Sequence, residues 1–166
     1  LKAQITLDNI VTPYSAIGSD FYTAQISADE TKYVFLNTSA NTFSLYNMDF
    51  SPFLLNITVP EPFANFTYQP VYITRSLFDC DTSNIEYAYN ATGGNSNNSF
   101  YIMRTDGTQL FFLDSANGPY CLGGCLGMSD IIVPIRNTSD GAKLFLQRGP
   151  SSKIHVYSLC GTLPLK

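Results

Sequence analysis

Apolar and polar residues alternate along almost the whole chain, and no window of a dozen residues keeps the i, i+3, i+4, i+7 spacing of a buried helix face. "TKYVFLN" (31–37) and "TFSLYN" (42–47) predict two short strands, and "FLLNITV" (53–59) predicts a third, stopped by Pro60. Further strands are predicted at "VYITRSLF" (71–78), "IEYAYN" (85–90), "SFYIMR" (99–104) and "QLFFLD" (109–114). After a glycine-rich stretch come "DIIVPIR" (130–136), "AKLFLQ" (142–147) and "KIHVYSL" (153–159). "QITLDNI" (4–10) and "FYTAQIS" (21–27) have the same pattern near the start. The expectation is an all-β fold of about twelve short antiparallel strands, whose even spacing is that of a sandwich, barrel or propeller.

The turns agree with this reading. Asp106-Gly107 and Asp140-Gly141 each separate two apolar runs, as a tight hairpin requires. A weak internal similarity links "SADETKYVFLNTSANTFSLYNMD" (27–49) with "TSDGAKLFLQRGPSSKIHVYSLC" (138–160), and "RTDGTQLFFLDSANG" (104–118) matches the first half of that unit. Such a turn–strand–turn–strand unit is how propeller blades read. Three units are fewer than the 4–8 blades of a closed propeller. A small or incomplete propeller, two copies completing one ring, and a sandwich with repeated hairpins all fit. We expect propeller-like blades or a β-sandwich in a single all-β domain over 4–166, with 1–3 the remnant of a removed signal peptide and Gln4 the first mature residue.

Composition narrows the function. With 12 Phe and 11 Tyr in 166 residues the chain can fill a core, yet charged residues are only 13 %, so Ser, Thr and Asn must supply the surface polarity. A net charge of −4 and the absence of any Lys/Arg cluster argue against nucleic-acid binding, which needs a basic patch. No apolar run approaches the roughly 20 residues of a membrane helix, so no transmembrane segment is expected.

Four cysteines, Cys80, Cys121, Cys125 and Cys160, can form two disulfides in an oxidising compartment, with three possible pairings. N-x-S/T sequons occur at Asn37, Asn56, Asn65, Asn90, Asn97 and Asn137, as glycosylation acceptors or simply as turn residues. Chemistry is sparse. The single histidine, His155, shares a strand face with Lys153 and Tyr157 and reads as a surface residue. Acid pairs such as Asp81 with Glu86 invite a glycosidase reading, but most of the acids sit at turns. "DCDTSNIE" (79–86) alone has ligand-like spacing: Asp79, Asp81, Asn84 and Glu86 place several oxygens in one loop, either as a structural calcium site or as an Asx-rich turn bonded to itself. In "IEYAYN", Tyr87 and Tyr89 share one face, as core residues or as a sugar platform, while Glu86, Ala88 and Asn90 share the other. No catalytic residue is assigned, no cofactor beyond calcium is implied, and the expectation is a protein that is not an enzyme.

Taken together, "VYITRSLFDCDTSNIEYAY", "RTDGTQLFFLDSA", "PIRNTSDGAKLFLQ" and "VYSLCGTLP" resemble a module found in secreted proteins of Bacteroidetes-type bacteria, commonly just before a type IX secretion sorting domain. The resemblance covers residues from about 27 to 164 and implies an extracellular or cell-surface location with no assigned chemistry; a sorting domain would begin after Lys166. Cys160 stands where relatives often have proline, which implies a local bond for it, to Cys80, Cys121 or Cys125. The reading is a secreted, non-catalytic β-module for adhesion or ligand binding, with a glycan or protein as partner. Two alternatives stand beside it: a homo-oligomeric structural subunit of a filament or surface layer built by strand addition, with residues 4–10 as donor, and a hydrolase with an unrecognised site.

Overall fold

The computed structural model describes residues 19–37, 39–60, 72–92, 98–117, 135–148 and 153–163. They form twelve strands in three antiparallel sheets, with no helix among them. The first sheet is a meander of β1 (Ser19–Gln25), β2 (Thr31–Asn37), β3 (Thr42–Tyr46) and β4 (Pro52–Thr58). The second runs β5 (Tyr72–Thr74), β6 (Glu86–Thr92), β7 (Asn98–Arg104) and β8 (Gln109–Leu113). In the third, β11 (Gly141–Arg148) pairs along one edge with β12 (Ile154–Ser158); its other edge is shared end to end by β10 (Ile135–Thr138) and the two-residue β9 (Ala116–Asn117).

The hairpin turns are those expected from the sequence. Gly107 and Gly141 take φ of 92° and 95°, which a side chain rarely tolerates, and each opens onto the following strand. Two of the three similar sequence units occupy corresponding places, as the β2–β3 and β11–β12 hairpins. The third supplies β8 and then β9, so it closes the second sheet and enters the third.

Two cores lie on opposite faces of the second sheet. Tyr87, Tyr89, Ile73 and Met103 pack with Val34, Leu36, Phe43, Leu45 and Ile57 of the first sheet. On the reverse face Ala88, Phe100 and Ile102 pack with Ile135, Ala142, Leu144 and Leu146 of the third. The second sheet is thus covered on both sides, and β6 is buried at successive positions from Glu86 to Tyr89. Tyr87 and Tyr89 are core residues as expected; the face of Glu86 and Ala88 belongs to the interior as well, since a third sheet covers it.

The predicted strand over 71–78 is shorter than its pattern. Its ladder stops at Thr74, because Arg75 turns to donate its N–H to Ile26 and the next residues meet the end of the chain. There Gly161 donates to the Leu77 carbonyl at 3.0 Å, and a Cβ on Gly161 would lie 2.1 Å from the Ser76 carbonyl oxygen. Gly161 is therefore needed for close backbone approach. Gly161→Ala is expected to force these two segments apart and lower stability by about 1–3 kcal/mol, the usual range for overpacking, measured by urea unfolding.

Candidate functional site

The loop between β5 and β6, with the first residue of β6, brings the four residues of the predicted oxygen cluster into one bonded network, and a cation of the protein's own holds two of them. Arg104, from the end of β7, donates Nε to Asp79 Oδ2 at 2.8 Å and its Nη2 reaches both Asp79 and Asp81. The other oxygens are also taken. Asp79 Oδ1 accepts the Asp81 N–H at 2.9 Å, Asp81 Oδ1 accepts the Ser83 N–H at 3.0 Å, and Asn84 Nδ2 donates to Asp81 Oδ2 at 2.9 Å. These are Asx turns, the second of the two readings of this stretch. Among the described residues no group of three or more His, Cys, Asp or Glu side chains is disposed to hold a metal ion.

Glu86 is the unusual member. It is 0 % exposed, and its carboxyl accepts the N–H groups of Phe78 at 3.0 Å and Asp79 at 2.8 Å. Burial, then the hydrogen bond to the neighbouring Asp79 carboxylate, push its pKa up to about 7. Burial also acts to raise Asp79, but the hydrogen bond from Glu86, the Asp81 amide and Arg104 outweigh it and hold that carboxyl low. The shift favours a proton on Glu86 below about pH 7, and its carboxyl pairs two amides that the loop would otherwise leave unpaired.

Cys80, in the same loop, forms a disulfide with Cys160, their Cα atoms 5.5 Å apart. The bridge ties the second sheet to the segment that follows the third. Just beyond it, Asn137 holds the backbone of Leu163 with both ends of its amide, at 3.1 and 2.9 Å. Cys121, Cys125, Asn65 and Asn97 lie outside the described residues. Of the remaining sequons, Asn56 is exposed, while Asn37 is half-buried and caps the next turn through Ala40. Asn90 is half-buried on β6. His155 is half-buried beside Tyr157, whose hydroxyl lies 3.5 Å from Nδ1.

A second feature was not anticipated. The face of the first sheet that points away from both cores carries a connected set of rings. Phe21 stacks on Tyr33 (centroids 5.1 Å) and lies tilted against Phe35 (4.7 Å), Tyr33 stacks on Phe50 (4.5 Å), and Phe35 meets Tyr46 edge-on (5.0 Å). Phe21 is 45 % exposed and the others are partly covered by one another. Phe50 holds a left-handed φ of 64°, a conformation a bulky residue enters at a cost of about 1–2 kcal/mol. That strain places its ring flat on Tyr33. Beside the rings Asn37, Ser44 and Asn56 line a shallow hollow with Phe35 and Tyr46. The Leu55–Asn56 bulge in β4 sits there, with the Asn56 N–H donating to Ser44 Oγ at 3.0 Å. The signal was present in "TKYVFLN": Val34 and Leu36 alternate with Tyr33 and Phe35, so both faces of that strand are apolar, although only one can face the adjoining sheet.

Among the described residues no helix is long and apolar enough to cross a membrane. No family model, curated protein or solved structure matches the chain.

Proposed function

We propose that the chain is a non-catalytic, extracellular or cell-surface β-module that binds through the outward aromatic face of its first sheet. The observation that carries this reading is the Phe21–Tyr33–Phe35–Tyr46–Phe50 ring cluster, large apolar surface held partly in water at the expense of backbone strain. Rings of this kind with a polar rim suit a protein surface or the apolar face of a sugar. The disulfide fits an oxidising compartment, and the proposal includes the secreted bacterial module that the sequence resembles. A non-enzymatic role is supported by the state of the carboxylates, since Asp79, Asp81 and Glu86 are engaged by Arg104, backbone amides and each other.

A panel of immobilised glycans and envelope proteins, probed with wild type and the Phe21→Ala/Phe35→Ala variant, tests this reading. Binding is expected to fall at least about tenfold, as for loss of interface anchors, with the melting temperature nearly unchanged because both rings lie outside the cores. Equal binding by the two proteins would sink the proposal. Assembly by strand addition remains a second reading, favoured by β12, whose ladder partner among the described residues is β11 alone.

A further inference from the structure

We infer that Lys32 and Asn47 condense into a side-chain isopeptide bond, which closes the β2–β3 hairpin into a covalent ring and releases ammonia. The inference does not depend on what the aromatic face binds.

The register of the hairpin brings the reacting groups together. The last rung of the β2–β3 ladder pairs Tyr33 with Tyr46, so Lys32 and Asn47 follow as facing neighbours at its open end. Lys32 Nζ lies 2.7 Å from Asn47 Oδ1. The amide carbon Cγ is one C=O bond of about 1.2 Å from that oxygen, which puts it within about 4 Å of Nζ. Glu30, in the turn before β2, accepts from the same Nζ at 2.9 Å. On the far side of the amide, Asn47 Nδ2 donates to Ser51 Oγ at 2.9 Å, and Ser51 Oγ donates to Asp49 Oδ1 at 2.6 Å. A nucleophile, a proton acceptor, an electrophilic carbon and a held leaving group thus share one site.

The surroundings suit a reaction better than a simple ion pair. The Lys32 side chain is 9 % exposed, and Nζ sits 4.1 Å from the centroid of the Phe53 ring. Arg75 flanks the same ring and holds Glu30 by two bonds, at 2.7 and 3.3 Å. Two cations therefore meet one carboxylate. Burial against an apolar wall and a second cation nearby are the settings in which lysine serves as a nucleophile. Arg75 also keeps Glu30 paired once Lys32 has given up its charge, so closing the bond orphans no carboxylate.

The step balances without a co-reactant. One proton passes from Nζ to Glu30, and the free amine adds to Cγ. The proton that Nζ sheds as the new bond forms moves to Nδ2. The Cγ–Nδ2 bond breaks, the Nζ–Cγ amide remains, and the departing ammonia takes the proton from Glu30 and leaves as ammonium. No electrons change hands. The product joins the two strands that carry Tyr33, Phe35 and Tyr46, so force applied to the aromatic face cannot unzip them from their open end.

The test is the mass of the wild-type chain, reduced and denatured, when freshly purified and after prolonged incubation in its native fold. The expected mass is one ammonia below that of the sequence. Trypsin no longer cleaves after Lys32, and fragmentation yields a branched peptide joining Lys32 to Asn47. Lys32→Arg and Asn47→Ala keep the full sequence mass. Glu30→Gln, shown to be folded by its thermal melt, forms the bond about a hundred-fold more slowly, a typical loss for a general base. Wild type that stays at full mass after incubation overturns the inference. So does a loss of ammonia that persists in Lys32→Arg, because it marks an asparagine cyclised on its own backbone. Equal rates for Glu30→Gln and wild type overturn the role of Glu30 as proton acceptor.

Discussion

Cys80→Ser/Cys160→Ser is expected to unfold about 10–15 °C below wild type, from a loss of about 4.5 kcal/mol. The magnitude follows from the sequence separation of 80 residues closed by the bridge: cross-linking so long a loop removes most of the freedom of the unfolded chain that the bond can remove. Folding stabilities are about 5–15 kcal/mol, so this one bond is a large fraction of the whole. The structure adds a local part. Residues 159–163 are held by the bridge, by the hydrogen bond from Gly161 to Leu77, and by the two bonds between Asn137 and Leu163. Without the bridge those bonds must hold the segment alone. One effect works in the other direction. Cys80 has a φ of 61°, so Cys80→Gly in the Cys160→Ser background should recover about 1 kcal/mol relative to the double serine variant. Urea unfolding separates these contributions, and the m value should rise as the unfolded state expands. A double serine variant that melts within about 2 °C of wild type, a shift equivalent to about 0.5–1 kcal/mol, would refute the assignment.

The strands were legible because each rests on local alternation. Predicted 31–37 is β2, and predicted 42–47 and 109–114 are β3 and β8 to within one residue. The sheets were harder to read, since burial of a strand's second face is decided by residues far away in sequence. "IEYAYN" places Glu86, Ala88 and Asn90 on a face that reads as polar, and only the docking of Leu144 and Leu146 makes it interior. The same holds for Tyr33 and Phe35: alternation marks them as strand residues, and their exposure depends on which sheet has a neighbour. The oxygen cluster was legible as a cluster. Its cation was not, because Arg104 joins Asp79 from 25 residues away. No local pattern marks Gly161, because its constraint, the Ser76 carbonyl, lies in the loop after β5, far away in sequence. Cys160 was marked as bonded, but the choice among Cys80, Cys121 and Cys125 required the fold.

Stability should also decline as pH rises from about 5 to about 8, contrary to the behaviour of most carboxylates, and Glu86 is the reason. An ordinary glutamate, near 4.5, is ionised in the unfolded chain throughout that interval, whereas buried Glu86 keeps its proton up to about 7. The folded state thus binds more protons than the unfolded state. The stability this contributes is fully present below 4.5 and is lost as pH rises through about 7. A shift of this size corresponds to roughly 3 kcal/mol, or a fall in melting temperature of about 6–12 °C. Glu30 has the opposite sign. Arg75 holds it by paired bonds at 2.7 and 3.3 Å and Lys32 adds another, so its pKa falls to about 2. Its contribution is present above the usual glutamate value and is lost only as pH falls through about 2. The two together place maximal stability near pH 5. Glu86→Gln separates them. The amide can donate to Asp79 as the protonated acid does, but it presents one acceptor fewer to the Phe78 and Asp79 N–H groups. That variant should be about 1 kcal/mol less stable than wild type at pH 5, the usual value of one hydrogen bond. Having no proton to lose, it should be the more stable of the two at pH 8.5. Crossing of the two curves of melting temperature against pH is the expected signature. Parallel curves would show that Glu86 is ionised in the folded protein and overturn this account.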